Sequence, residues 1–596
     1  MRYEFNFGSL GTVPPRSGGK AGERFRLAVL GDFSARANRG EVEVGETLAG
    51  RKPLAVDIDN FDQLISRLGI KLQLDIGGED GTVDVAINSI DDFHPDQLYD
   101  NLELFSHLSG LRQRLNNRAT FAKAAKEVQG WPGVTPAPKT KKRARRSRGM
   151  AVAADCKLGD FARLLDRTYE DRQEMPVDQL LQRVVAPHVV PAKDPRQDAL
   201  IAAVDSAIAE TMRRVLHHPD FQTTEALWRS VDLLIRRLET GANLQIVLYD
   251  ITAEELAADL SATETLEETG LYKLLVEQPA LDARQGAISA IVGNYLFEHT
   301  PPHAELLGRM GKIAAAAKAP FIAAISASCL QKSQDRDLHA LIVDSWSALS
   351  KLPEAAYLGL TVPRFLLRNP YGQKTDPIDR FQFEEFTPQY GLRGMLWGNS
   401  AILAGLLLGQ TCAKQGLKKM NIGSILSVNE MPYYYFTDRD GDQVALPCTE
   451  RLLDVRTAAQ VSAQGWIPAL SIRGRAEVRL GGLLSLAGPA LSGPWPAPAG
   501  AKTTDRPKPA PAEEQPAESE GGTADSGMDL DSGAVSGDLD MGSSSGDSSE
   551  TSAAGSGDSD LDALLASLGG GDETPAAEAS SSEEMDPELA ALLASL

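Results

Sequence analysis

Arg24-Phe25-Arg26-Leu27-Ala28-Val29-Leu30-Gly31-Asp32-Phe33-Ser34 is a compact apolar run stopped by Gly31-Asp32. It reads as a buried strand that ends in a turn. Working outward, residues 53–59 and 70–75 flank a helix-like stretch over 60–68, where Phe61, Leu64, Ile65 and Leu68 fall at helical spacing. Asp59 or Asn60 stands where a cap is wanted. A short strand is expected over 82–87, then the turn Asp92-Phe93-His94-Pro95-Asp96. Leu98, Leu102, Phe105, Leu108, Leu111 and Leu115 share one face of a strongly periodic helix, and a further helix is expected near 118–128. Residues 1–131 thus form a small α/β domain.

Residues 132–157 read as a linker, with prolines followed by Lys139, Lys141, Lys142, Arg143, Arg145, Arg146 and Arg148. Such a run suits a nucleic-acid or localisation element, or a solvated tether between modules; the tether is preferred here. Residues 158–488 read as one larger domain. It opens with two short amphipathic helices and a Pro-rich turn, followed by a long helix over 197–216 that is broken by His217-His218-Pro219-Asp220. A second helix is expected from Glu225. Strand signals at 244–248, 288–292, 321–326 and 357–360 then alternate with helices that include 304–317 and 400–413. That alternation favours a mixed or mostly parallel sheet covered by helices. The class is α/β: a small α/β domain plus a larger mixed-sheet domain.

Residues 489–596 change character to Pro-rich and then Ser/Gly/Asp-rich sequence. Too little apolar surface is left to offset ordering entropy, so an acidic disordered tail is expected. Two LDALLASL-like segments stand out in it. Leu561, Leu564, Leu565 and Leu568 fall at i, i+3, i+4 and i+7, and Leu589, Leu592, Leu593 and Leu596 repeat the stripe. A helix that short is marginal alone, so the stripes read as partner-binding motifs of the helix-in-groove kind.

The net charge of −22 comes largely from this tail and argues against general nucleic-acid binding. Cys156, Cys329, Cys412 and Cys448 show no CxxC pairing, which suits a reducing compartment. No signal peptide or membrane span of about 18 apolar residues is read, so a soluble cytoplasmic protein is expected.

The search for chemistry yields no catalytic constellation, cofactor or metal site. His299 and His303 have i, i+4 spacing, but Thr300-Pro301-Pro302 lies between them and prevents one helix from carrying both. His217, His218 and Asp220 would anchor an enzyme reading; a turn-and-cap role is preferred. Gly308-Arg309-Met310-Gly311-Lys312 lacks the spacing of a phosphate loop and reads as ordinary helix surface. Asp376, Asp379, Glu384 and Glu385 are expected to pair with Arg364, Arg368 and Arg380 in salt bridges at loops or interfaces.

Two ordered sets of residues carry a resemblance. Residues 25–34, Arg51-Lys52-Pro53-Leu54, Asp57-Ile58-Asp59-Asn60-Phe61-Asp62 and Asp92-Phe93-His94-Pro95-Asp96 resemble the small (TssB-like) subunit of the type VI secretion contractile sheath. Leu216-His217-His218-Pro219-Asp220-Phe221-Gln222, Glu225-Ala226-Leu227-Trp228-Arg229, Gly293-Asn294-Tyr295-Leu296-Phe297-Glu298-His299 and Lys318-Ala319-Pro320-Phe321 resemble the large (TssC-like) subunit. So do residues 358–372, Phe383-Glu384-Glu385-Phe386 and Leu396-Trp397-Gly398-Asn399.

The resemblance implies a structural protomer, not an enzyme, that assembles helically with its own copies around an inner-tube protein and contracts to propel it. It further implies baseplate contacts and recycling by an AAA+ ATPase. Fusion through the linker would enforce one-to-one stoichiometry and raise the effective concentration to roughly millimolar. The large-subunit pattern stops after Gly481-Gly482, so the family's C-terminal segment is expected to be absent. The alternative is a non-contractile adaptor or baseplate-associated protein that recruits a partner through its tail.

Overall fold

All seven residues of Phe25–Gly31 are buried, as a strand covered on both faces requires. The computed structural model describes residues 5–11, 24–77, 81–131, 196–281, 286–330, 336–437, 441–488 and 490–496. The expected linker, the two short helices before residue 196 and the tail leucines Leu561, Leu564, Leu565, Leu568, Leu589, Leu592, Leu593 and Leu596 lie outside the described residues.

In chain order the first strands are β1 (Phe25–Gly31), β2 (Leu54–Val56), β3 (Ile70–Asp75), β4 (Thr82–Ile87), β5 (Leu244–Asp250), β6 (Ala290–Phe297), β7 (Phe321–Ile325) and β8 (Leu358–Val362). After them come β9 (Phe365–Leu366), β10 (Trp397–Gly398), β11 (Ser427–Asn429), β12 (Tyr434–Thr437), β13 (Gln443–Leu446), β14 (Ile467–Ser471) and β15 (Glu477–Leu480). A nine-stranded sheet runs in the order β11-β15-β14-β8-β7-β6-β1-β5-β2. Its central strands are parallel, and both edges are antiparallel. The class is the expected one, a large mixed sheet with helices, but its middle is shared. β1 is inserted between β5 and β6, with Val29 opposite both Leu248 and Val292.

The α-helices of five or more residues are α1 (Gly45–Ala49), α2 (Phe61–Leu68), α3 (Pro95–Asn101), α4 (Glu103–Asn116), α5 (Phe121–Gln129), α6 (Gln197–Leu216) and α7 (Pro219–Arg237). They continue with α8 (Ala253–Ala262), α9 (Pro301–Ala317), α10 (Arg336–Ser350), α11 (Ala401–Gln415) and α12 (Val455–Ala463). Alternation along β1 divides the core. Phe25, Leu27 and Val29 face one apolar cluster with residues of α2–α7, α11 and the β3–β4 hairpin. Ala28 and Leu30 face the other, with residues of α8–α10. Gly405 lets α11 press onto this centre, since a Cβ there would lie 2.8 Å from Val292 Cγ2.

Several local expectations shift. The leucine-rich helix after Pro95 breaks at Leu102, whose extended backbone ends α3 and precedes α4. Asn60 stands at the N-cap of α2 but does not cap it; its Oδ1 accepts instead from the Asp57 N–H at 3.1 Å. α7 begins at Pro219 and not Glu225, because proline suits a first helical turn and His218 caps it.

The Gly308–Lys312 stretch is no ordinary helix surface. A Cβ on Gly308 would sit 2.1 Å from Phe7 Cδ1, so the glycine makes room for the N-terminal segment. Arg309 Nε donates to Asn6 O and Lys312 Nζ to Gly8 O.

Candidate functional site

A series of polar contacts runs along the seam where residues 24–131 meet residues 196–496. It starts at the α8 cap. Thr252 Oγ1 accepts from the Glu255 N–H at 3.0 Å, and Glu255 Oε2 accepts from the Thr252 N–H at 3.1 Å, a reciprocal capping box. The same fully buried carboxylate takes two hydrogen bonds from Arg51, at 2.5 and 2.7 Å, and lies 3.4 Å from Arg36 Nε. Glu43 adds a second carboxylate, 2.8 Å from Arg51 Nη2. Burial pushes Glu255 upward, but hydrogen bonds from Arg51 and the Thr252 N–H bring it below the usual carboxylate range.

Two His-Pro-Asp turns lock the halves reciprocally. His94 and His218 each accept, through Nδ1, the N–H of the aspartate two residues on, opening α3 and α7. Each aspartate then binds the opposite half. Asp96 accepts from the N–H groups of Asp379 and Arg380 at 3.1 and 3.2 Å, and Asp220 accepts from Asn38 Nδ2 at 2.7 Å. Phe93 and Phe221, beside the two turns, meet edge to face at 5.5 Å. Trp228 closes the seam between Phe33 and Phe61, and its Nε1 donates to Phe33 O.

Behind the turns lies a buried ion cluster within the larger half. Arg368 bonds Glu225 Oε1 and Glu385 Oε2, both at 2.7 Å, and stacks over the Tyr371 ring. Arg229 completes it, bonding Glu225 at 2.7 Å and Tyr371 Oη at 2.8 Å. Burial works against the Glu225 charge, yet Arg368 and Arg229 hold its carboxyl below the usual range. The His94 ring meets the Tyr371 ring at 5.0 Å, so the cluster touches the smaller half.

Of the acidic residues singled out from sequence, only Glu385 meets one of the expected arginines, Arg368. Arg364 pairs with Glu450 and Arg380 with Asp100, while Asp376 approaches His94 and Glu384 accepts from the Gln373 N–H. His218 and Asp220 take cap and seam roles. His217 is packed under Gly394 with both ring nitrogens lacking a hydrogen bond, and burial holds it below the ordinary imidazole range. His303 accepts from the Glu298 N–H, while His299 precedes α9 and stacks against Trp346 and Trp466, so the pair does not converge.

Sequence reasoning passed over Arg51 and Glu255 as a pair. The Thr252-x-x-Glu255 capping-box spacing was the available signal for half of it. Among the described residues no group of three or more His, Cys, Asp or Glu side chains is placed to hold a metal ion.

These charges are occupied in joining segments of this one chain to each other. Residues 23–129 match the family model described as type VI secretion system, VipA, VC_A0107 or Hcp2. Residues 198–486 match that of EvpB/VC_A0108, tail sheath N-terminal domain. The type VI secretion system sheath protein TssC1 of Pseudomonas aeruginosa PAO1 is 32% identical over 288 residues, covering 46% of this chain and 58% of the relative. The chain therefore spans less than two thirds of that relative's length. It belongs to the type VI secretion sheath family, with a TssB-like and a TssC-like region on one chain. No helix among the described residues is long and apolar enough to cross a membrane.

Proposed function

We propose that this chain is a structural protomer of a contractile sheath in the cytoplasm, assembling with its own copies around an inner tube and contracting to propel it. The observation that carries this reading is the seam, in which a TssB-like strand completes a TssC-like sheet inside one chain. A protomer of this kind needs no catalytic centre, because contraction draws its energy from contacts between subunits. Baseplate proteins and an AAA+ ATPase that recycles contracted sheath are the further partners of this reading.

Negative-stain electron microscopy of the purified chain, with and without its inner-tube protein, tests it. Tubes or stacked helical rings are expected. Small particles alone under both conditions would move the assignment to a non-contractile adaptor or baseplate-associated protein.

The tail stripes, Leu561, Leu564, Leu565 and Leu568 with Leu589, Leu592, Leu593 and Leu596, are the partner-binding elements of this proposal. Deleting 555–596 is expected to leave folding intact and weaken partner recovery in a pull-down from the source cell. An unchanged pull-down would remove that role.

A further inference from the structure

Residues 371–385 form a strap with a closed neck and a tip that crosses the seam. At the neck the Glu385 N–H donates to Tyr371 O at 2.9 Å, and the Tyr371 N–H donates back to Glu385 Oε2 at 2.7 Å. A surface loop with its ends tied together in this way is of the Ω kind. Tyr371 and Glu385 are buried, while Gln373, Lys374, Thr375, Asp376, Asp379 and Arg380 at the tip are exposed. The tip holds the smaller half. The N–H groups of Asp379 and Arg380 donate to Asp96, Arg380 pairs with Asp100, and the Phe381 ring stacks on Tyr99 at 5.1 Å. Whatever opens the neck therefore loosens a set of contacts across the seam.

His217 stands under that neck, at the C-terminal end of α6. Its Nε2 lies 3.8 Å from Glu385 Oε1, and the Tyr390 ring and Gly394, just beyond the strap, cover it. The charged groups around the ring are Glu385 and Arg368 on the strap side, and Arg213 and Glu210 on α6. Two carboxylates and two arginines oppose one another, so burial dominates and lowers the imidazole below its ordinary range. Glu385 is already committed to Arg368 and to the Tyr371 N–H, and neither ring nitrogen has a hydrogen bond. A proton thus binds more tightly to a state in which the ring reaches water, and by linkage it favours that state.

We propose that His217 is a proton-operated latch of the strap, whose protonation opens the neck at Tyr371 and Glu385 and frees the tip from Asp96 and Asp100. The latch is closed near neutral pH, and opening grows as the pH falls below about 6.5. Arg368 and Arg229 hold the Glu225 carboxyl low, so the ion cluster keeps that charge through this window. His94, on the other side of the Tyr371 ring, faces Asp96 and Asp376, so its charging would tighten the tip and not release it.

Hydrogen exchange of the full-length chain, followed by mass spectrometry at pH 7.5, 6.5 and 5.5 and corrected for chemical exchange at each pH, tests the latch. Peptides covering Tyr371 and Glu385 are expected to lose protection about fivefold between pH 7.5 and 5.5, while β1 keeps its own. His217→Gln, which cannot take the proton, is expected to remove the response. His217→Phe, which keeps a ring under Gly394, is expected to do the same, and urea midpoints at pH 7.5 show whether each variant is folded. His299→Phe, at a depressed histidine away from the strap, is expected to leave the response intact. Equal strap protection at all three pH values in the parent chain would overturn the proposal. So would a response that survives in a folded His217 variant, or an equal loss at β1, which would report unfolding of the whole molecule.

Discussion

Glu255 closes a helix within the larger half and pairs with two arginines of the smaller one. Replacing it by Gln leaves Arg51 facing a neutral amide in a buried site. Breaking a buried pair from one side costs about 3 kcal/mol. Glu255→Gln is therefore expected to lower the urea midpoint by that equivalent, whereas Glu41→Gln, at the exposed edge of the same cluster, should leave it almost unchanged. An equal loss in both variants would show that Glu255 does not anchor the seam.

The histidines set a pH response of definite sign. Burial depresses His217, and burial together with His339 holds His299 at about 4. For a histidine depressed in the fold, the unfolded chain binds the proton more readily. Stability is therefore full above the unfolded value of about 6.5 and falls as the pH drops toward the folded value. The lowered carboxyls of Glu225 and Glu255 add a separate loss only below about pH 4.5. Urea titrations at pH 7.5, 6.0 and 5.0 are expected to show a monotonic decline, with a shallower slope in His299→Phe, which keeps a ring between the two tryptophans. A flat profile in the parent chain would contradict the burial argument.

At this scale the sequence was legible where chemistry is local. The turn-and-cap reading of His217-His218-Pro219-Asp220 is seen at His218, and His94, read only as part of a turn, caps its helix in the same way. The partners of Asp96 and Asp220 were not legible, because those contacts close over long stretches of chain whose path no local pattern specifies. Arg364 and Arg380 illustrate the same limit. They were expected among nearby acids, and they bond Glu450 and Asp100 instead.

Among the elements, β1 shows what an apolar run does and does not reveal. Leu27-Ala28-Val29-Leu30 reads as a buried strand because every residue is apolar, and burial on both faces erases the alternation that would assign a face. Its neighbours were hidden, since parallel pairing is set by long connections and leaves no turn signature. The same holds for α9, whose helical pattern was plain while its glycine faces were not.

Gly308 gives a sharp test of that element. Gly308→Val places side-chain atoms where the Phe7 ring packs, and overpacking of this kind costs about 1–3 kcal/mol unless the segment detaches. Hydrogen exchange is expected to show loss of protection at Ser9, whose N–H donates to Glu264 O, while β1 and β6 stay protected. Unchanged exchange at Ser9 would mean that α9 does not seat the N-terminal segment.

On the scale of the whole molecule, two regions with separate family matches share one sheet and one continuous apolar cluster. Across the seam the fold is held by β1, the reciprocal His-Pro-Asp turns and the Arg51–Glu255 pair. The class and both resemblances were legible from ordered motifs. That the smaller region has its first strand inside the larger one's sheet was not, because each region reads as a plausible α/β unit by itself.

The most direct measurement is to insert a specific protease site between residues 132 and 195, cleave the folded chain and follow the pieces by size exclusion. The account predicts that both pieces co-elute one to one in native buffer and separate only in denaturant. Pieces that run apart in native buffer would contradict it, showing two domains joined by a linker and not one fold built across a seam.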